Sequence, residues 1–269
     1  MLRKLMKYEF KATGRCILPL YGALLGFALI LRILFKGGLD EKISDTFHTL
    51  GNIANMICVF AYGFTMAAVF VATFFIIVQR FYKNILGDEG YLMNTLPIKP
   101  YLNIINKIIV SLIWTIISCF VAFLSILILF ATFDNIGYFF SNLLPALKEL
   151  YIEFGGLPYL IGFEFCILAI IQLVKSITML YASISIGHLF SKYKILSSFA
   201  AFIALNIISN MINSTLVLTL GKSYLSSFDS PTPGFFQIIL LLVMIGEIIY
   251  FIAYFFITNY ILNHKLNLE

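Results

Sequence analysis

Glu164, Lys175 and Glu247 stand inside long apolar stretches, where an ionisable side chain needs a reason to be. A charge at bilayer mid-depth costs roughly 2.5–3.5 kcal/mol on insertion scales, so each must find a partner, a route to water or a function. Glu164 and Lys175 fall on nearly the same helical face. At ~1.5 Å of rise per residue they stand about 16 Å apart along the axis, too far to pair directly. Lys175 therefore either snorkels toward the headgroups or meets Glu247 from another helix. Two readings follow for these residues: a polar translocation surface or interhelical lock, and plain structural pairing or interfacial placement.

Asn206, Asn210 and Asn213 recur at i, i+4 and i+7 and so share one stripe of a helix. Carboxamides in lipid seek interhelical hydrogen bonds worth about 0.6 kcal/mol each and at most about 2. The stripe is expected to face protein or a water-lined path, as glue between helices or subunits or as a substrate-lining surface. Gly22-x-x-x-Gly26 permits close helix approach, a weak signal on its own because glycine is common in membrane helices.

Other motifs fail on inspection. Gly221-Lys222-Ser223 copies the end of a phosphate-binding loop, but Leu216 occupies the first glycine position and no strand precedes it. Asn213-Ser214-Thr215 has the form of a glycosylation sequon but lies within an apolar helix. His48, His188 and His264 lack metal-ligand spacing. No Gly-x-Ser-x-Gly elbow is present. No catalytic residue, metal site or cofactor is expected in this chain.

The elements that must hold these residues follow from composition. Hydrophobic residues make up 61% of the 269 and charged residues 12%, against about 25% charged in a soluble domain. Mean hydropathy is +0.98. This is an integral membrane protein by composition, and its net charge of +5 is a matter of topology rather than of nucleic acid. Cys16, Cys58, Cys119 and Cys166 all fall in or beside apolar runs, so they are expected to pack as small hydrophobes rather than form a disulfide framework. The apolar run after Arg15 is too long for a cleavable signal.

A bilayer core takes about 20 apolar residues in a helix. Six stretches qualify: Ile17–Phe35, Asn52–Val78, Ile108–Phe133, Leu157–Gly187, Ile195–Leu220 and Phe235–Ile261. With the N-terminus inside, the cytoplasmic segments hold Arg3, Lys4, Lys7, Lys11, Arg15, Arg80, Lys83, Lys99, Lys107, Lys192, Lys194 and Lys265. The exterior segments hold only Arg32, Lys36, Lys42, Lys148 and Lys222, so the positive-inside rule places both termini in the cytoplasm. Two shorter elements flank the spans. Leu2, Leu5, Met6 and Phe10 share a face while Arg3, Lys4, Lys7 and Lys11 lie largely elsewhere, which suits a basic amphipathic helix in the headgroup layer or ordinary flanking charge. Ser141–Phe154 carries apolar residues at helical spacing and is expected to form a helix on the outer face, stopped by Gly155-Gly156 and Pro158. The expected organisation is a single membrane domain over 1–269, with an interfacial helix at 1–15, a cytoplasmic loop at 79–107 and an exterior interfacial element at 134–156. The fold class is all-α with six transmembrane helices.

The loop between spans two and three is the one substantial cytoplasmic segment. It is too short to bury a core of its own. Gly87 can end the extension of span two; Asp88 and Glu89 then place acids at the start of a short helix, where its dipole favours them. Tyr91, Leu92, Met93 and Leu96 form an apolar run that Pro97 and Pro100 stop. Such a helix needs cover from headgroups or from another protein.

The run Gly87-Asp88-Glu89-Gly90-Tyr91-Leu92-Met93-Asn94-Thr95-Leu96-Pro97-Ile98 resembles the first cytoplasmic loop of bacterial type-2 ATP-binding-cassette (ABC) exporter permeases. Lys4-Leu5-Met6-Lys7-Tyr8-Glu9-Phe10-Lys11-Ala12-Thr13-Gly14-Arg15 resembles the N-terminus of that group. The resemblance implies an N-terminal amphipathic helix, six spans, and a coupling helix seated in a groove of a cytoplasmic ATPase. On that footing Asp88 and Glu89 would orient or pair with the ATPase, and Tyr91, Leu92 and Leu96 would fill its groove. It further implies two permease subunits, as homo- or heterodimer, on two ATPase subunits that carry the ATP and Mg. In that family spans one and five meet near the dimer axis, which would place Gly22, Gly26 and the asparagine stripe there. Export of peptides, lipids or drugs from the bacterial cytoplasmic membrane, antimicrobial-peptide export or immunity among them, is the activity implied. The chain departs from many members in its short Gly221–Gly234 segment; its bulkier exterior element lies between spans three and four. An ATP-independent carrier using Glu164, Lys175 and Glu247, an intramembrane enzyme, and a non-transporting sensor or assembly partner are the rival classes.

Overall fold

Lipid offers a peptide group no hydrogen bonds, so a chain this rich in Leu, Ile and Phe satisfies its backbone internally as helix. The computed structural model of the protein describes residues 2–36, 48–87, 100–130, 133–190, 192–225 and 233–265, and no strand occurs among them. In chain order the helices are α1 (Leu2–Lys36), α2 (His48–Phe81), which runs into a π-helical turn at Tyr82–Leu86, α3 (Pro100–Phe130), α4 (Phe133–Phe154), α5 (Leu157–Gly187), α6 (Lys194–Leu225) and α7 (Pro233–His264).

Among the described residues, six stretches are long and apolar enough to cross a membrane: Arg3–Ile33, Met56–Leu86, Pro100–Leu129, Leu157–Gly187, Lys194–Thr219 and Phe236–His264. They correspond one to one with the six expected from sequence and make this an all-helical, multi-pass membrane protein. Their outer faces carry large apolar side chains such as Ile33, 69% exposed, and Phe64, 74% exposed. A surface of that kind is stable only against lipid or another protein.

α2 continues past Val78 to the stop expected at Gly87, whereas α3 starts at Pro100 rather than Ile108. Polar residues at Asn84, Asn103, Asn106 and Lys107 mark those ends as aqueous in sequence, yet all four are buried. Gly87 closes the π turn, its N–H donating to the Tyr82 carbonyl at 2.8 Å. A Cβ at Gly87 would stand 3.1 Å from the Lys83 carbonyl oxygen, so the tight closure suits glycine. At the N-terminus, Leu2–Lys11 is the first part of α1 and is continuous with the span. Pro19 supplies no N–H to Arg15, which interrupts the ladder by one bond where the basic stretch gives way to the apolar one. Arg3, Lys4, Lys7 and Lys11 face outward while Glu9 and Thr13 are buried. The helix expected over Ser141–Phe154 is present and starts earlier, at Phe133. It ends where Gly155 takes a φ of +67°, the left-handed value that favours glycine.

The chain divides into two compact units. The first comprises Met1–Gln79 and Ile109–Leu143. Its core joins Ile17, Tyr21, Leu24, Ala28 and Leu31 of α1 to Tyr62 and Val69 of α2 and Val110 and Trp114 of α3. Hydroxyls stitch the same helices together: Trp114 Nε1 donates to Thr13 Oγ1 at 2.7 Å, the Tyr21 hydroxyl meets Ser118 at 2.6 Å and Tyr62 meets Ser125 at 2.7 Å. Arg32, a charge near the far end of α1, donates to the Ile128 carbonyl at 2.9 Å. The second unit comprises Arg80–Ile108 and Leu144–Glu269 and holds α5, α6 and α7.

Candidate functional site

The second unit is built around a neutralised charge. α5 turns Lys175 inward together with Ile177, Thr178 and Met179, and α7 turns in Glu247. The Lys175 ammonium lies 3.2 Å from Glu247 Oε2, off hydrogen-bond geometry, and donates to Oε1 at 3.4 Å. From α6 the Asn213 amide donates to the same Oε1 at 3.0 Å. The side chains of Lys175 and Glu247 are only 9% and 5% exposed. Three spans thus converge on one carboxylate whose charge is matched by one ammonium. Tyr250, one turn beyond Glu247, places its ring centroid 5.5 Å from the ammonium, a further favourable contact for a buried cation. Asn213 does not depend on the glycine at 246, since a Cβ there would meet Asn213 Oδ1 at 3.6 Å, ordinary contact.

Of the two routes open to Lys175 from sequence, pairing with Glu247 is the one taken. Glu164 stands apart from that pair. Its Oε1 accepts from Gln237 Nε2 of α7 at 3.3 Å, while Oε2 is buried without a hydrogen-bond partner among the described residues. The same two helices frame an apolar groove of about 640 Å³ lined by Ile161, Phe165, Leu168, Phe236, Ile239 and Leu240. The asparagine stripe divides. Asn213 joins the ion pair, while Asn210 donates to Asn206 within α6 and is itself exposed. Gly22 and Gly26 are open, since a Cβ at either would meet nothing within 4 Å.

Asp88, Glu89, Tyr91, Leu92 and Leu96 lie outside the described residues. The two stems of their loop are described, and Tyr181 of α5 engages both. Its ring stacks on Phe81, at the end of α2, with centroids 3.9 Å apart and planes 6° from parallel. Its hydroxyl donates to the Lys107 carbonyl at the start of α3, a long bond at 3.4 Å. Tyr181 is 1% exposed, Phe81 0% and Lys107 2%. Nothing in the sequence singled Tyr181 out, because one aromatic in an apolar helix looks like any other. The usable signals were indirect: a lysine and two asparagines close to span three, buried although the hydropathy pattern leaves them in water.

α5 ends at Gly187, and the return to α6 is tight. A Cβ at Gly187 would meet Ser198 Oγ and stand 2.5 and 2.6 Å from the Ser198 nitrogen and Cα. His188 follows, its ring 5.5 Å from that of Tyr82. Burial first, and the Lys194 charge second, hold its pKa below the ordinary imidazole value of 6.5.

Compared with protein-family models, with curated proteins and with solved structures, the chain matches none.

Proposed function

We propose that this chain is the transmembrane subunit of an ABC exporter, seated in the bacterial cytoplasmic membrane with both termini inside and driven by a separate cytoplasmic ATPase. The observation that carries the reading is the clamp made by Tyr181. Both stems of the loop that resembles an ATPase-coupling segment belong to the same compact unit as α5, α6 and α7. One side chain holds them to α5. A push on Asp88–Leu96 would reach Tyr181, then Lys175 less than two turns along the same helix, and through Glu247 and Asn213 the other two spans. Rigid elements joined by discrete contacts are what a loop displacement needs if it is to tilt several spans together.

In this reading the basic start of α1 reaches the inner headgroup layer as a continuation of the first span, α4 lies on the outer face, and a second permease subunit covers the open face at Gly22 and Gly26. ATP and Mg belong to the ATPase partner. The apolar groove between α5 and α7 and the lipid-like exterior suit an amphipathic or hydrophobic cargo such as a peptide, lipid or drug. The buried ion pair favours one rival, an ATP-independent carrier that exchanges a proton or cation at Glu247.

The test is charge reversal. Asp88→Lys with Glu89→Lys should abolish stimulation of the co-expressed ATPase while the chain still inserts and purifies with native stability. Undiminished stimulation in that double variant removes the coupling role of the loop.

A further inference from the structure

Two lipid-accessible grooves meet at the turn between α5 and α6. One, of about 670 Å³, is lined by Tyr82, Lys192, Lys194, Leu196 and Phe199 among others; the second, of about 490 Å³, lies beside Leu189, Phe190 and Ser197. Lys192, Tyr193 and Leu196 border both and form the ridge between them. A turn joining two membrane spans sits at a bilayer surface. Its composition there is not that of a solvated loop: Phe190, Tyr193, Leu196 and Phe199 are 57, 64, 68 and 65% exposed. Among the described residues neither lysine has a carboxylate within ion-pair distance. Phe190, Tyr193 and Phe199 offer apolar bodies at the depth where aromatic residues prefer to lie. Among the described residues, the two ammonium groups beside them meet no anion.

We infer that this turn is a binding site for an anionic phospholipid, with the phosphate between Lys192 and Lys194 and the acyl chains lying along the grooves on either side of the Tyr193–Leu196 ridge. Charge complementarity selects the headgroup, because basic pockets beside membrane spans recognise anionic lipids. The apolar walls formed by Leu196 and Phe199 select a lipid over a free phosphate, which would leave them exposed. The site is independent of the coupling mechanism, since it requires only that the chain span a membrane.

The experiment is a native mass-spectrometry titration of the purified full-length chain with phosphatidylglycerol and, separately, phosphatidylcholine. The wild-type chain should retain phosphatidylglycerol preferentially. Removing a lysine near a membrane surface should weaken that binding about fivefold, and removing both roughly 25-fold. Lys192→Gln with Lys194→Gln should therefore bring phosphatidylglycerol down to the phosphatidylcholine level and leave phosphatidylcholine binding unchanged. Lys192→Arg with Lys194→Arg should restore the preference, and Lys148→Gln, a lysine elsewhere, should leave it intact. An unchanged preference in the Gln double variant overturns the site. So does an equal loss in Lys148→Gln, which would indicate general charge attraction. Displacement of the lipid by inorganic phosphate alone at millimolar concentration would point to a phosphate site and equally overturn it.

Discussion

The ion pair between α5 and α7 makes a quantitative demand on a double-mutant cycle. At 3.2 Å and an effective dielectric of about 20, the attraction between Lys175 and Glu247 is about 5 kcal/mol. The desolvation of both charges opposes it, so the net value of the intact pair is small. Breaking it is a different matter. Lys175→Met leaves Glu247 with the Asn213 amide at 3.0 Å and no cation, and should cost about 3–5 kcal/mol. Glu247→Leu strands the ammonium against the Tyr250 ring alone and should cost about as much. The double variant Lys175→Met with Glu247→Leu removes both charges into similar volume and should lie within about 1–2 kcal/mol of the native chain, apart from the lost Asn213 bond, about 1.5–3 kcal/mol for a hydrogen bond to a charged group. The singles should therefore sum to more than the double, with a coupling energy of at least about 1 kcal/mol and about 4 kcal/mol at mid-range. Reversible unfolding in bicelles measures all four corners. Additive single effects would show that the pair carries no coupling and that Lys175 is solvated independently, and would refute its role in tying the spans together.

Three further outcomes follow from the geometry. Gly187→Ala should destabilise the chain by about 1–3 kcal/mol, and Ser198→Ala should fail to rescue it because the collision includes the Ser198 backbone; unfolding midpoints check both. Tyr181→Phe keeps the stack on Phe81 and loses only a 3.4 Å hydrogen bond, so it should cost less than about 1 kcal/mol, whereas Tyr181→Ala should cost about 3–5 kcal/mol and raise hydrogen exchange in the stems 82–87 and 100–107. The folded chain holds His188 below 6.5, so between the two pKa values the unfolded chain binds the proton more readily; stability should begin to fall as pH drops through about 6.5 and level off below the folded value. Lys194→Gln should shrink that loss, and an unfolding series from pH 7.5 to 5 reads it.

The six spans were legible because each is a long apolar run, and lipid leaves such a run no option but helix. The Lys175–Glu247 pair was legible as one of two routes, since a buried ammonium has few ways to survive. Which asparagine would join it was not: Asn206, Asn210 and Asn213 share a stripe, and only the packing of α6 on α7 selects Asn213. The extension of α2 to a stop at Gly87 was legible, whereas the start of α3 was misplaced by hydropathy because burial in protein, unlike burial in lipid, tolerates Asn103, Asn106 and Lys107. The hydroxyl contacts of the first unit carried a signal that went unread, since Ser111, Ser118 and Ser125 recur every seventh residue along one face of α3 and all three are buried. The Tyr181 stack had no counterpart in sequence, because ring geometry depends on side-chain positions that spacing does not encode.

The proposal that energy reaches the spans from a borrowed ATPase is tested most directly by reconstitution. The chain is placed in liposomes with and without the co-expressed cassette ATPase, and movement of a fluorescent amphipathic peptide is followed with and without ATP. The account predicts transport only when both the ATPase and ATP are present, and its loss in the Asp88→Lys, Glu89→Lys double variant. Transport by the chain alone, driven by an ion gradient with no ATPase in the membrane, would contradict it.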